Sequence, residues 1–271
     1  MCEVRGTVSC AYLGAVYHKE TASNLTECLS SLAAQTVLIP IILVVDGDIG
    51  PELESVIDEF FHLDIQILRL GVNSGLAVAL NIALEKYKDQ YEYFIRFDTD
   101  DVNLPTRTEK LISEISRSKA DVIASAIFEG DFIKNKKKYR AVPNEHLTID
   151  AFRYRNPIFH PSTAFRIKSV MEVGGYENQP FFEDWLLWLK LANQNKKFTF
   201  LKEPLVIFRI DQAMLRRRFG WNYFRAEVAF VKTRRNYRFY PSFVDIIFLI
   251  IRLMRNFIGF KAFKFLFNLR R

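Results

Sequence analysis

The chain has 271 residues, of which 49% are hydrophobic and 14% aromatic, and this composition excludes an intrinsically disordered protein. The net charge of +7 is unevenly distributed, because residues 209–271 contain fifteen Lys or Arg and three acids, which leaves about −5 on residues 1–208. A basic tail on an acidic body predicts an anionic partner at the tail, and the mixture of cations with apolar residues there argues against nucleic acid.

The first half of the chain alternates between patterns typical of strands and of helices. Short apolar runs rich in β-branched and aromatic residues predict buried strands over residues 8–17, 41–45, 64–70 and 91–97. Apolar residues at helical spacing predict helices over 24–35, over 51–61 and from Leu76 onward. Ser23 or Asn24 is expected to cap the first helix. This alternation predicts βαβ units, and therefore an α/β fold with a mainly parallel sheet flanked by helices.

Polar residues follow the end of each predicted strand. Right-handed crossovers place the carboxyl ends of parallel strands at one edge of a sheet, where α/β proteins bind ligands. The residues expected to meet in a pocket at that edge are Tyr17, Lys19, Asp46, Asn73, Gly75, Asp98 and Asp100. Each also has a structural explanation, since Asp46 could form a turn and Asn73 could start a helix. The sequence contains neither a GxGxxG nor a Walker motif, which disfavours a nicotinamide cofactor and a P-loop ATPase.

Three carboxylates, Asp98, Asp100 and Asp101, lie within four residues after the fourth predicted strand. Like charges at this spacing repel one another, and a hard divalent cation with oxygen ligands would relieve the repulsion. The alternative is a solvated acidic turn that caps the helix predicted after Pro105. The triplet therefore predicts either a metal site or a helix cap at the edge of the sheet.

The region after residue 104 begins with regular patterns and then loses them. A helix is predicted over 105–117 and a strand over 121–128. The basic run KNKKK (134–138) is predicted to be a solvated hairpin or loop. Two prolines exclude a helix over 155–166, where a strand is expected to resume at Phe165. His160, in this irregular stretch, is expected to be structural rather than a ligand.

A second acidic pair, Glu183 and Asp184, lies in the first turn of a helix predicted over 181–192, after a turn at 174–176. Two explanations remain open for this pair. The carboxylates could simply complement the helix dipole. One of them could instead act as a general base, because a carboxylate at the rim of a pocket can accept a proton from a hydroxyl.

The C-terminal segment mixes cations with apolar residues. Arg216 to Arg218, after a strand predicted over 204–210, could bind phosphate or could begin a solvated basic helix. The longest uninterrupted apolar run beyond Pro241 covers 246–251, which is far shorter than the roughly 20 residues of a membrane span. This pattern predicts a helix lying in an anionic membrane interface. The alternative is a C-terminal helix packed on the body.

Several segments together resemble glycosyltransferase family 2 enzymes of the GT-A fold, in the branch that assembles bacterial O-antigen and capsule repeat units. These segments are AVYHKE (15–20), ILVVDG (42–47), LGVNSGLAVALNIAL (70–84), FDTDD (97–101), RNPIFHPSTAFR (155–166), GGYEN (174–178), FFEDWLLWLKL (181–191), FRI (208–210) and MLRRRFGW (214–221). One position departs from the family pattern, since Val45 stands where a second acid usually precedes Asp46. The departure concerns how the nucleotide base is recognised and does not concern the fold.

The resemblance implies a role for each matching position. Asp46 would contact the uracil of a UDP-sugar, beside Tyr17 and Lys19, while Asn73 and Gly75 would form the loop next to the ribose and diphosphate. Asp98 and Asp100 match the pair that holds Mn2+ or Mg2+, and Asp101 would assist or bind the donor sugar. Asp184 matches the catalytic base, with Glu183 beside it. A diphosphate of the donor or the acceptor would be bound by His160, Arg217 and Arg218.

The resemblance also implies the reaction and its setting. We expect a glycosyltransferase domain over residues 1–210 and a helical, basic, membrane-associating extension over 211–271. The expected activity is inverting transfer of galactose or glucose from a UDP-sugar, with a β1,3 bond to GlcNAc-diphospho-undecaprenol. Three cysteines without metal-ligand spacing and no signal-peptide pattern fit the cytoplasmic face of the inner membrane. Alternatives are a rhamnosyl- or N-acetylhexosaminyltransferase, or a non-catalytic nucleotide-sugar-binding membrane scaffold.

Overall fold

A computed structural model describes residues 8–131, 136–143, 149–152, 155–210, 212–237, 243–255, 257, 259–261 and 263. Its described strands form one mixed sheet in the order β3-β2-β1-β4-β8-β6-β9-β5, with β7 paired to β6. The strands are β1 (Cys10–Val16), β2 (Ile41–Asp46), β3 (Ile65–Leu70), β4 (Tyr93–Arg96), β5 (Val102–Asn103), β6 (Val122–Asp131), β7 (Lys136–Arg140), β8 (Thr163–Arg166) and β9 (Phe198–Arg209). The α-helices are α1 (Ala22–Ala33), α2 (Pro51–Glu59), α3 (Leu76–Tyr87), α4 (Arg107–Ser118), α5 (Ile167–Glu172), α6 (Glu183–Asn193), α7 (Gln212–Arg217), α8 (Trp221–Thr233) and α9 (Phe243–Arg255).

The N-terminal half of the sheet is parallel, as the alternation of patterns predicts. Strands β3, β2, β1 and β4 pair in parallel register, so their carboxyl ends lie along one edge. Every residue of β2 is buried, which explains its uninterrupted apolar run up to Asp46. Helices cover both faces of this half, and two large apolar clusters form the core on either side of the sheet.

The C-terminal half of the sheet contains the features that the sequence predicts least well. Strand β8 runs antiparallel between β4 and β6, whereas β6 and β9 are parallel. Strand β9 begins at Phe198 rather than at Pro204, because a register shift near Ala126 lets the pairing with β6 continue past the proline. The two-residue strand β5 has no pattern of its own and forms because Val206 and Ile207 of β9 offer it partners.

Two local predictions are corrected and one is partly tested. Thr21, not Ser23 or Asn24, caps α1, since its hydroxyl oxygen accepts the Asn24 N–H at 3.2 Å. Helix α4 begins at Arg107, two residues after the predicted start. Within KNKKK, residues 136–138 belong to β7 and pair with β6 as one arm of a hairpin, while 134 and 135 lie outside the described residues.

A close contact joins β1 to the segment that follows β4. Gly14 in β1 faces the ring of Phe97, and a Cβ at position 14 would lie 2.3 Å from Cζ of that ring. Glycine is therefore required for Phe97 to pack directly on the strand. Since Asp98 follows Phe97, this packing helps fix where the chain leaves the sheet and the acidic triplet begins.

The helices after β9 pack on the body and on each other. Buried Met214 and Leu215 of α7 form a small apolar cluster with Phe263, and Phe219 contacts the rings of Phe260 and Phe263 at 5.6 and 5.3 Å between centroids. No helix in the described ranges has both the length and the apolar character needed to cross a bilayer. The division between two domains at residue 210 remains a prediction. Residue 211, where the second domain is predicted to begin, lies outside the described residues.

Candidate active site

A cavity of about 530 Å³ opens at the carboxyl edge of the parallel strands. Eleven residues predicted to form the site line it, and these are Tyr17, Asp46, Asn73, Gly75, Asp98, Asp100, His160, Glu183, Asp184, Arg217 and Arg218. Two others are placed differently. Lys19 is exposed and does not line the cavity. Asp101, the last residue of the acidic loop (residues 98–101), is buried and does not line the cavity either. The sequence-based set therefore converges on one cavity with two exceptions.

One end of the cavity is formed by Asp46, at the end of β2, and by the loop before α3. The Asp46 carboxylate accepts the backbone N–H of Ser74 at 2.7 Å and of Gly75 at 2.9 Å, and the Asn73 amide donates to it at 3.2 Å. Gly47 has a φ of +83°, and a Cβ there would lie 2.7 Å from the Asn73 backbone nitrogen. The glycine thus permits the close approach that lets Asp46 hold this loop.

The three carboxylates after β4 form a compact group of oxygen donors. Ligand atoms of Asp98, Asp100 and Asp101 all lie within 4.8 Å of one another. Oδ2 of Asp101 is buried without a hydrogen-bond partner, although Oδ1 accepts the Arg209 N–H at 2.8 Å. An all-oxygen set with an unsatisfied buried oxygen fits a hard divalent cation such as Mn2+ or Mg2+.

Two arginines absent from the sequence-based set hold this acidic loop in place. The buried Arg96 guanidinium pairs with Asp98 and donates to the Leu13 carbonyl at 3.2 Å. Arg209, at the end of β9, donates from Nε to the Asp100 carbonyl at 2.7 Å and pairs with Glu27 of α1 at 2.5 Å. Burial, reinforced by the charge of Asp98, raises the pKa of Asp100 to about 7. The loop therefore concentrates negative charge that the arginines only partly compensate.

Glu183 and Asp184, in the first turn of α6, face the same cavity. Asp184 accepts the Trp185 N–H on Oδ1 at 2.7 Å and the Asn156 amide on Oδ2 at 2.7 Å. Burial raises the pKa of Asp184 to about 6, although the Trp185 N–H, Arg218 and Asn156 act in the opposite direction. Burial likewise raises the pKa of Glu183 to about 7. A carboxylate with a pKa near neutrality is well suited to accept a proton.

The two predicted arginines at the end of α7 lie near different parts of the cavity. The Arg217 guanidinium donates to the Tyr17 hydroxyl at 3.3 Å, and its charge acts on Asp100. The charge of Arg218 acts instead on Asp184. Adjacent cations thus face the acidic loop and the second acidic pair respectively.

His160 reaches the cavity from the 3-10 turn His160–Ser162. Its Nε2 is hydrogen-bonded to the Tyr176 hydroxyl at 2.9 Å, and its ring packs against Trp188. Burial, with the nearby Arg96 charge, lowers the pKa of His160 well below its ordinary value, so the ring is neutral. The ring therefore brings no positive charge to the cavity, and a role of His160 in binding a diphosphate remains a prediction.

Two further cavity residues escaped the sequence analysis. Glu20 accepts the Thr99 hydroxyl at 2.6 Å and so links the loop after β1 to the acidic loop. Asn156 contacts Asp184 across 28 positions of sequence. Both belong to segments already singled out, HKETASN and RNPIFHPSTAFR. Their polar character was visible, but their partners depend on the tertiary fold.

Comparison with known proteins gives a consistent family. The sequence model described as Glycosyl transferase family 2 matches residues 15–175. The chain is 31% identical over 257 residues to the amylovoran biosynthesis glycosyltransferase AmsE of Erwinia amylovora, covering 93% of this chain and 96% of AmsE. It is also 31% identical over 238 residues to the UDP-Gal:alpha-D-GlcNAc-diphosphoundecaprenol beta-1,3-galactosyltransferase of Escherichia coli, covering 86% of each.

Solved structures share the fold at low sequence identity. Staphylococcus aureus TarS 1–349 in complex with UDP-GlcNAc superimposes with a TM-score of 0.64 at 16% identity, covering 81% of this chain and 64% of the other. The mannosyltransferase PcManGT of Pyrobaculum calidifontis, in complex with GDP-Man and Mn2+, gives 0.62 at 14% identity, covering 83% and 64%. This chain thus spans less than two thirds of either solved chain, and the shared part is the α/β architecture described above.

Proposed function

This chain belongs to glycosyl transferase family 2, with the GT-A fold of the enzymes that make bacterial O-antigen and polysaccharide, and we propose that it transfers a hexose from a UDP-sugar. The hexose is galactose or glucose, and the product is a β1,3 linkage to GlcNAc-diphospho-undecaprenol. The name of the Escherichia coli relative, a UDP-Gal-dependent β-1,3-galactosyltransferase, supports this choice of donor, linkage and acceptor.

The observation that carries the proposal is the arrangement of two acidic groups around one cavity. Asp98 and Asp100 line it after β4, and Glu183 and Asp184 line it from α6. Glycosyl transfer needs both kinds of group, because charge develops on the leaving diphosphate while a proton leaves the acceptor hydroxyl. A site that only bound a nucleotide would have no use for the second pair.

In the proposed reaction Asp184 accepts the proton of the acceptor hydroxyl. The hydroxyl oxygen then forms a bond to the anomeric carbon as the bond from that carbon to the diphosphate oxygen breaks, and the electron pair leaves with UDP. Asn156 keeps the Asp184 carboxylate in position through its 2.7 Å hydrogen bond. Attack from the side opposite the leaving group inverts the configuration, so an α-linked donor gives a β-linked product.

The donor is proposed to bind with its nucleotide near Tyr17, Asp46 and the Asn73–Gly75 loop. Asp98 and Asp100 would hold Mn2+ or Mg2+, with Asp101 as the third oxygen donor. When bound, the cation supplies positive charge against the diphosphate of the leaving group. Arg96 pairs with Asp98 and Arg209 donates to the Asp100 carbonyl, so both arginines help hold these carboxylates in place.

We assign Arg217, the last residue of α7, and Arg218, which follows it, to different diphosphates. Arg217 lies beside Tyr17 and near Asp100, which supports binding of the donor diphosphate. Arg218 lies near Asp184, where the acceptor hydroxyl would be, which supports binding of the acceptor diphosphate. Because such an acceptor is anchored in a bilayer by its polyprenyl chain, the enzyme would work peripherally at the cytoplasmic face of the bacterial inner membrane.

An assay of nucleoside diphosphate release with a synthetic GlcNAc-diphospho-lipid tests the proposal. UDP-galactose, UDP-glucose, UDP-GlcNAc and an activated rhamnose are compared in the presence of Mn2+, and the product linkage is determined by NMR. Release with UDP-galactose or UDP-glucose and a β1,3 product supports the assignment. Turnover only with the GlcNAc or rhamnose donor would replace it with one of the alternative transferases. Binding of a UDP-sugar without turnover on any acceptor would favour a non-catalytic scaffold.

A further inference from the structure

Helix α9 exposes a row of apolar residues, while its Asp245 is buried and its Arg252 is ion-paired. Six large apolar side chains at helical spacing are 40–76% exposed, and we call them the outer face of α9: Phe243, Ile246, Ile247, Ile250, Ile251 and Met254. A helix packed on a soluble body normally has the opposite orientation, with its apolar stripe towards the core. A continuous exposed apolar surface of this kind marks an interaction site.

The opposite face of α9 is fastened by ion pairs to α8 and to the turn that follows α8. Asp245 accepts from the Arg234 guanidinium at 2.7 Å, and both side chains are buried. Two helical turns after Asp245, Arg252 pairs with the buried Glu227 of α8 at 3.1 Å. Ionised groups buried in this way require their partners, so rotating α9 to hide its outer face would separate two ion pairs. The apolar face is therefore held outward.

The same ion pairs determine the charge of the surrounding surface. Glu227 and Asp245 are the acids of residues 212–271, and the structure buries both. The exposed cations of α8 and of its surroundings include Arg225, Lys232 and Lys261. What α8 and α9 present to solvent is thus a combination of apolar side chains and positive charge.

We propose that the outer face of α9 docks onto an anionic lipid bilayer, with its apolar side chains between the acyl chains and the surrounding cations against the headgroups. Amphipathic helices that lie in the plane of a membrane combine these same two features. At about 20 Å, a helix of 13 residues cannot cross the roughly 30 Å of a bilayer core, but it can lie in the interface. Only the identity of the membrane rests on the proposed function.

Two aromatic residues extend the docking surface beyond the helix. Trp221 of α8 is 52% exposed, and its ring contacts that of Phe257, which is 74% exposed, at 6.1 Å between centroids. Tryptophan is favoured at the boundary between headgroups and acyl chains. A second copy of the chain is a poorer occupant, because a symmetric contact would bring the cations of one copy against those of the other.

The test is sedimentation of the purified full-length chain with vesicles. Vesicles of phosphatidylethanolamine with phosphatidylglycerol are compared with phosphatidylcholine vesicles. The double variant Ile246→Ser with Ile250→Ser changes two exposed side chains of the outer face. Phe61→Ser, a control on another surface, changes a side chain that is 87% exposed. We expect the double variant to bind anionic vesicles about tenfold more weakly or worse, and the control to bind like the wild type.

Three outcomes would overturn the inference: a wild-type chain that stays in the supernatant, a double variant that binds like wild type, or a dimer in solution that the double variant dissociates. Circular dichroism confirms that the variants are folded. Turnover of a water-soluble short-chain acceptor separates this inference from the proposed function. If the double variant keeps that turnover but loses vesicle binding, both stand. If the wild type binds vesicles without any sugar transfer, the docking surface stands and the proposed function fails.

Discussion

The side-chain amide of Asn156 donates a 2.7 Å hydrogen bond to Oδ2 of Asp184. The side-chain oxygen Oδ1 of Asn156 in turn accepts the Ile158 N–H at 3.2 Å, which fixes the direction of the side-chain amide. The contact joins an irregular, proline-containing loop to the first turn of α6. It stabilises the ionised form of Asp184, in which that carboxylate could act as a base.

Replacing Asn156 with Ala should move the acidic limb of the rate profile to higher pH. Burial raises the pKa of Asp184 to about 6, and the Asn156 hydrogen bond opposes that rise. Wild-type kcat/KM should therefore fall as the pH drops below about 6, and the fall should begin at higher pH in the variant. At pH 7 we expect a loss of about tenfold. Asn156→Ser, which replaces the amide donor with a hydroxyl donor, should show a smaller shift than Asn156→Ala. An unmoved profile in Asn156→Ala would contradict the positioning role.

The variant Asp184→Asn should be more stable than the wild type at pH 8 but not at pH 3.5. A folded-state pKa raised from 3.8 to about 6 means that folding disfavours the ionised carboxylate. This cost is absent below 3.8, grows between the two pKa values and is complete above about 6. This cost amounts to at most about 3 kcal/mol. It is smaller to the extent that solvent reaches the partly exposed Asp184 side chain. Thermal unfolding at several pH values measures the difference, and equal stability throughout would contradict the raised pKa.

The two acidic groups should separate binding from turnover. Asp184→Ala should reduce kcat by a factor of about 10² to 10⁴ but leave UDP-sugar binding close to wild type, because Asp184 lies away from the nucleotide end of the cavity. Asp100→Ala should lose the part of UDP binding that depends on Mn2+. Calorimetry with UDP, with and without Mn2+, provides the comparison. Near-normal turnover in either variant would contradict the role proposed for that residue.

Neutralising Arg217 and Arg218 one at a time should affect different substrates. Arg217→Ala should raise KM for the UDP-sugar, whereas Arg218→Ala should raise KM for the diphospho-lipid acceptor, each by about tenfold or more. The residues are neighbours on one helix end, so each variant serves as the control for the other. The same effect of both variants on one substrate would show that the two arginines bind one diphosphate.

The parallel half of the fold and most of the site could be predicted from sequence because their signals are local. An apolar run that ends in Asp46 or Asp98 carries both the strand and its functional terminus within a few residues. Five strands of the C-terminal half mix parallel and antiparallel pairing, and β5 depends on a partner about a hundred residues away. Two residues are too few to form a pattern that predicts such a strand.

The supporting residues were harder to predict than the carboxylates that they support. Arg96 lies within an apolar strand, where an arginine is an anomaly that could have been noticed, since a fully buried guanidinium needs an anion. Arg209 gives no such signal, because its contacts with Asp100, Asp101 and Glu27 arise only when β9 reaches the acidic loop. The Cys28 thiol, which donates to the Asp98 carbonyl oxygen at 3.4 Å, likewise meets its partner only in the folded chain.

Phe260 and Phe263, which pack against the segment that carries Arg217 and Arg218, come later in the chain than every residue of the candidate site. The acidic loop and Asp184 leave the ribosome well before these two rings are synthesised. A nascent or prematurely terminated chain could therefore fold the parallel half of its sheet while these arginines still lack their support. Catalytic competence is in this sense acquired late, when the final aromatic contacts form.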